Sequence, residues 1–190
     1  MSDDIPARRR QLYMRAAPVF QRNGYRGSTM KALARACGLS IPALYRYFPS
    51  KRAFALFPLV ALYPELHGPP PDLSADPVTI LAGWIEAATE ELPNYTLALW
   101  LAAEAGLTDA ENRRVEANLA VHVEFLGTVA RSAAPRLDER AARELARAMI
   151  NIAVGQSVAR REPDAVALRR QLRALLRGYG VSLVRASRSR

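Results

Sequence analysis

Residues 29–51 read TMKALARACGLSIPALYRYFPSK, and the fold follows from this stretch. Met30, Leu33, Ala34 and Cys37 recur at i, i+3, i+4 and i+7, which is one face of a helix. Ser28 or Thr29 can cap that helix, and Gly38 closes it after barely two turns. Ser40 caps a following helix, expected over Ile41–Phe48, with Pro42 in the first turn where proline fits. Only Gly38-Leu39-Ser40 joins the two. So short a turn predicts a steep crossing with the second helix left projecting, and glycine supplies the positive φ it needs. Leu44, Tyr47 and Phe48 turn at least partly inward. Ile41, Pro42, Ala43, Tyr45 and Arg46 remain on the outer face.

A helix presented this way suits the major groove of DNA. Arg46 can donate two bonds to a guanine edge, and Ile41 and Ala43 can meet a thymine methyl. Tyr45 offers a hydroxyl to a phosphate. Lys51 brings a charge and a helix N-terminus to the backbone, and Thr29 and Lys31 do the same from the other side. Pro42 and the partly inward Tyr47 complete the expected contact set.

The charge distribution points the same way. Residues 1–52 hold eleven Lys/Arg against two acids, which accounts for the whole net charge of +9; the other 138 residues hold sixteen of each. Such asymmetry implies a polyanion partner for the N-terminal segment alone, against the plainer reading of a merely basic surface.

Outward from this segment the chain reads as all-α, with about nine helices. The first runs from Pro6 to Asn23 with Leu12, Ala16 and Phe20 inward. It should bend at Pro18 and stop at Asn23-Gly24. A fourth follows Ser50, from Lys51 towards Tyr63, kinked at Pro58 and ended by Pro64. Gly68-Pro69-Pro70-Pro71 through Asp76 reads as a linker or long loop. Five helical stretches follow at about 77–92, 93–105, 108–133, 138–161 and 164–185. Gly106, Ala134-Pro135 and Glu162-Pro163 punctuate them, and the tail Arg185–Arg190 is expected to fray. We divide the chain into a DNA-binding domain, residues 1–50, and a helical ligand-binding and dimerisation domain, residues 51–190.

As an ensemble, residues 8–57 resemble the DNA-binding domain of the TetR family of transcriptional regulators. The resemblance rests on Ala16-Ala17, Phe20, Gly24-Tyr25, Thr29, Leu33-Ala34 and Gly38-Leu39-Ser40. Most specific is Leu44-Tyr45-x-Tyr47-Phe48-x-x-Lys51. It departs at position 42, usually glycine in the family, and at Pro18 and Pro58. The resemblance places the groove-reading helix on Ile41–Phe48 and phosphate contacts on Thr29, Tyr45 and Lys51. It implies a homodimer that mostly represses until a small molecule binds; two recognition helices so paired would read a palindrome, and a single cysteine suits a reducing cytoplasm. Stripes at Leu168, Leu172, Leu175, Leu176, Tyr179 and Leu183, and at Leu145, Met149 and Ile152, could pair with their copies in a four-helix bundle, or could face only their own core.

Phe57, Trp84, Tyr95, Trp100, His122, Phe125 and Met149 are candidates to line an effector cavity, although aromatic and methionine side chains on helices are commonly plain core. His122 and His67 read more simply as satisfied or solvated. Two isolated histidines and one cysteine make no zinc site, so no cofactor or metal is expected. Cys37 reads as core. Arg113-Arg114 and Arg160-Arg161 read as solvated faces. No phosphate loop or nucleophile motif appears, and Glu90-Glu91 point to different sides of a helix, so we expect no enzyme. No apolar run is long enough for a membrane span. The competing reading is a ligand-independent or sequence-blind DNA binder.

Overall fold

The computed structural model describes residues 5–61, 73–159 and 164–183. Tyr63, Pro64, His67, residues 68–72 of the loop, Arg160-Arg161, Glu162-Pro163 and the tail from residue 184 lie outside the described residues. Among the described residues the chain is all-helical, with nine helices and no strand. These are α1 (Ile5–Gly27), α2 (Met30–Cys37), α3 (Ile41–Tyr45), α4 (Lys51–Ala55), α5 (Phe57–Val60), α6 (Pro77–Ala105), α7 (Asp109–Ala133), α8 (Glu139–Ala159) and α9 (Ala165–Gly178).

The count matches the expected one, but the divisions differ. The expected fourth helix is two, α4 and α5. Leu56 takes φ −90°, ψ 0° between them, and Pro58 lies in the first turn of α5, where its missing N–H costs no internal bond. The expected pair 77–92 and 93–105 is instead the single helix α6, which runs through Pro93. Pro93 is exposed, as is Pro18 in α1. Inside α1 the departure from helical dihedrals is at Gly24 (φ 65°, ψ −176°), so the chain breaks at glycine and not at Pro18. A ring on the solvent side removes one backbone bond without disturbing the packed face. α3 ends at Tyr45 rather than Phe48. The residue before Pro49 is disfavoured in helical geometry, and Phe48 turns into the core instead.

The described chain forms two compact units, residues 1–70 with 93–118, and residues 71–92 with 119–190. In the first, Leu12, Ala16 and Phe20 of α1 pack with Leu33, Ala34, Cys37, Leu44, Phe48, Phe54 and Phe57, and with Leu97 and Leu101 of α6. Phe48 stacks on Phe54 at 4.0 Å between centroids and meets Phe57 edge-on at 5.5 Å. In the second, Leu81 and Ile85 pack with Leu126, Leu145, Met149, Leu168, Leu172 and Leu176.

The helix ends follow local chemistry. Asp76, Asp138 and Asp164 cap α6, α8 and α9, accepting from the N–H groups of Thr79, Ala141 and Ala167. Thr108 and Glu111 form a reciprocal capping box at α7. The Glu111 N–H donates to the Thr108 hydroxyl at 3.2 Å, and the Thr108 N–H to the Glu111 carboxylate at 2.8 Å.

Candidate nucleic-acid interface

α2 and α3 are built as two separately capped short helices. The Ala32 N–H donates to the Thr29 hydroxyl oxygen at 3.2 Å, and the Ala43 N–H to that of Ser40 at 3.3 Å. Gly38 is left-handed (φ 68°, ψ 30°), and the Leu39 N–H turns back to the Ala34 carbonyl at 2.9 Å. Leu39 is half-buried against the core and pins the turn. Ser28, the other capping candidate, is buried. It donates to the Gly24 carbonyl at 2.7 Å and closes the loop after α1.

This frame leaves one face of α3 in solvent. Ile41 (38%) and Tyr45 (46%) are exposed for apolar and aromatic residues, and Pro42 and Arg46 are exposed beside them. Lys31 and Thr29 are exposed at the start of α2. Ala43 and Tyr47 are half-buried, and Tyr47 packs on the core. Lys51 points inward. Its Nζ donates to the carbonyls of Tyr25 (2.8 Å), Ser28 (2.9 Å) and Arg26 (3.5 Å), and lies 4.5 Å from the Tyr25 ring centroid.

Several residues that hold this frame carry no signal in the local pattern. The Arg9 Nε–H donates to the Tyr47 carbonyl at 3.0 Å, and Arg15 donates to the Cys37 carbonyl at 3.5 Å. Glu104 of α6 accepts the Tyr25 N–H at 2.8 Å. Arg52 donates to both oxygens of Glu111 and to the carbonyls of Ala105 and Gly106. Asn118, buried, donates to the carbonyls of Leu59 and Ala61. Residues 93–118 are therefore bonded into the same unit as the helix pair. The capping-box spacing Thr108-x-x-Glu111 is the local signal that could have pointed to one of these residues.

The expected cavity residues divide between the units. Phe57, Tyr95 and Trp100 belong to the first. Phe57 is 2% exposed in the aromatic cluster, Tyr95 packs with Leu56, Leu59 and Ala98, and Trp100 is exposed. Trp84, His122, Phe125 and Met149 belong to the second. There Trp84, Phe125 and Met149 share one apolar cluster, and His122 is half-buried on α7. Among the described residues no group of three His, Cys, Asp or Glu could hold a metal ion. No described helix is long and apolar enough to cross a membrane.

Two capped short helices on a three-residue turn, with an arginine and apolar side chains on the outer face of the second, define a helix-turn-helix DNA-binding protein. Residues 13–56 match the family model of bacterial regulatory proteins, tetR family. The match covers the helix pair and its flanking helices, so this segment carries the DNA-binding module of that family. No curated protein matches it. Among solved structures it is similar to PfmR, a TetR-family regulator from Thermus thermophilus. Identity is 23%, the match covers 88% of this chain and 97% of that one, and the TM-score is 0.57. It is also similar to a TetR-like regulator from Rhodococcus sp. RHA1 (18% identity, 91% and 96% covered, TM-score 0.54). A third is AibR, solved in complex with isovaleryl coenzyme A and operator DNA (18% identity, 87% and 95% covered, TM-score 0.52). At these identities the likeness is one of fold.

Proposed function

We propose that this regulator is a homodimeric repressor that reads a palindromic operator and is released by a small-molecule effector. The observation that carries the DNA-reading part is the exposed face of α3, where Ile41, Pro42, Tyr45 and Arg46 stand out from a helix pair capped at both N-terminal ends. Arg46 reads a guanine edge, Ile41 and Ala43 meet methyl groups, and Tyr45, Tyr47, Thr29, Lys31 and Lys51 serve the backbone. The work divides near residue 50, with residues 1–50 reading DNA and residues 51–190 sensing and dimerising. An operator on the chromosome puts the protein in the cytoplasm.

Of the two stripes, Leu145, Met149, Leu168, Leu172 and Leu176 are fully buried within their own chain, while Ile152, Leu175, Tyr179 and Leu183 are half-buried. α8 and α9 keep Val158 (61%) and Val166 (71%) exposed, and we place the second copy there. Two recognition helices about 34–36 Å apart then meet successive major grooves.

For the effector, Trp84, Phe125 and Met149 form the apolar wall and His122 the polar group beside it, with Phe57, Tyr95 and Trp100 as the remaining candidates. AibR is solved with isovaleryl coenzyme A, which makes short acyl thioesters the first class to test. Effector binding favours a dimer whose recognition helices are wrongly spaced.

Selection of bound duplexes from a random pool tests the reading. The expected result is a palindrome with fixed half-site spacing. Equal retention of all sequences, with affinity falling alike with salt on each, overturns it in favour of a sequence-blind binder.

A further inference from the structure

We propose that Arg9, which lies outside the groove-facing set, is the residue that sets the position of the recognition helix and so its sequence specificity. The inference rests on the DNA-reading function proposed above. α3 has five residues, too few for its own backbone bonds to hold it in place. Its start is tied by Ser40, and its last carbonyls need donors from elsewhere. Within this end, the N–H groups of Tyr47 and Phe48 both return to the Leu44 carbonyl at 3.0 Å. The Tyr47 carbonyl, one step further on, takes the Arg9 Nε–H at 3.0 Å across thirty-eight residues of sequence.

The guanidinium does a second thing at the same point. Its central carbon lies 5.3 Å from the Phe48 ring centroid and 5.3 Å from that of Phe57. Arg9 thus fastens α1 to the end of the recognition segment and to two rings of the core behind it. This bond and these ring contacts limit both sliding of α3 along its axis and rotation about it. A residue turns by about 100° in a helix, so even a fraction of that rotation changes which of Ile41, Pro42, Tyr45 and Arg46 meets a base edge. A lysine keeps the charge but has no planar fork to span two rings while donating sideways to a carbonyl.

The test compares wild type, Arg9→Lys and Arg9→Met as full-length protein. Affinities are measured on the duplex recovered by selection and on a scrambled duplex of equal length, over a range of salt, with thermal melting alongside. The expected result is that Arg9→Lys lowers the ratio of selected to scrambled affinity by about tenfold or more. Its affinity for the scrambled duplex and its salt slope should stay at wild-type values. Arg9→Met shows the same collapse of the ratio; if that variant does not fold, Arg9→Lys alone decides. Two outcomes overturn the proposal. One is an unchanged ratio in Arg9→Lys, with or without a lower melting temperature. The other is equal loss on both duplexes in Arg9→Met with a slope about one unit shallower, which makes Arg9 a phosphate contact. A wild-type protein that does not distinguish the duplexes overturns the DNA-reading function itself and is recognisable before any variant is made.

Discussion

Arg52 and Glu111, fifty-nine residues apart, are paired fork to fork. Nε donates to one carboxylate oxygen at 2.7 Å and Nη2 to the other, while Nη1 reaches the Ala105 carbonyl at 3.2 Å. Arg52 follows directly on Lys51, whose ammonium holds the Tyr25 and Ser28 carbonyls. Two adjacent cations at the start of α4 thus fasten different neighbours, the end of α1 with Ser28 and the turn between α6 and α7. The surplus positive charge of the N-terminal segment is in part a framing device.

The pair makes stability pH-dependent in acid. Bonding to Arg52, opposed by partial burial and aided by the Thr108 N–H and hydroxyl, holds the Glu111 carboxyl down at about 2 against an ordinary 4.5. A depressed carboxylate stabilises fully above its unfolded value, so the contribution is complete above about pH 4.5 and is lost as pH falls towards 2. Glu111→Gln should cost about 1 kcal/mol at neutral pH and flatten the acid limb of the stability curve. Chemical denaturation at several pH values checks this, and an unaltered acid limb removes Glu111 from the account.

Arg46→Ala should cost about 1–3 kcal/mol on the selected operator and relax the base preference at one position of each half-site. Affinity for unrelated duplexes should barely move. Loss of the same size on every duplex assigns Arg46 to a phosphate instead.

Lys51→Ala removes the cation that gathers the Tyr25, Arg26 and Ser28 carbonyls, and should lower folding stability by about 1–2 kcal/mol. The same variant should weaken binding on all sequences and make the salt slope about one unit shallower. A slope identical to wild type, with the stability loss intact, leaves Lys51 as an internal clamp and no DNA contact.

Gly24 and Gly38 both have positive φ, yet they should tolerate alanine differently. A Cβ on Gly38 meets nothing within 4 Å, so Gly38→Ala costs only the left-handed strain, about 1–2 kcal/mol. At Gly24, with φ 65° and ψ −176°, the backbone is in a region nearly reserved for glycine, and a Cβ would sit 2.9 Å from Glu104 Oε2. Gly24→Ala should therefore be the more damaging. Asparagine should restore position 38 and fail at position 24. Thermal melting of the four variants ranks them, and the reverse order contradicts the geometry.

Cys37 is 1% exposed and its Sγ–H donates to the Leu12 carbonyl at 3.4 Å. Burial pushes the thiol upward in pKa even though Arg15 and Arg8 pull it down. Native protein should resist alkylation at neutral pH and react only when unfolded. Rapid labelling of the folded state argues for an accessible thiol.

Much was legible in the sequence because it depends on residues near one another. The spacing of Met30, Leu33, Ala34 and Cys37, the Gly38 turn and the Ser40 cap each name their structure within a few positions, and the folded chain forms them. Leu145, Met149, Leu168 and Leu172 announced apolar faces, but periodicity states only that a face is buried. What covers it had to come from packing, and these residues lie in their own chain's core. The prolines show the same limit. Pro18 and Pro93 sit inside helices that continue past them because their rings face solvent, and sequence alone does not say which way a ring points.

The helix-turn-helix and its outward residues were thus determined by the sequence itself, since caps, turn residues and 3.6-residue spacing act over a handful of bonds. Which charges face outward was decided by the tertiary structure. Arg9, Arg15, Lys51 and Arg52 look like their exposed neighbours in the sequence, but each donates to a carbonyl brought beside it from twenty or more residues away. A guanidinium or ammonium takes whatever acceptor folding puts within about 3 Å, and long-range proximity is not written in local pattern.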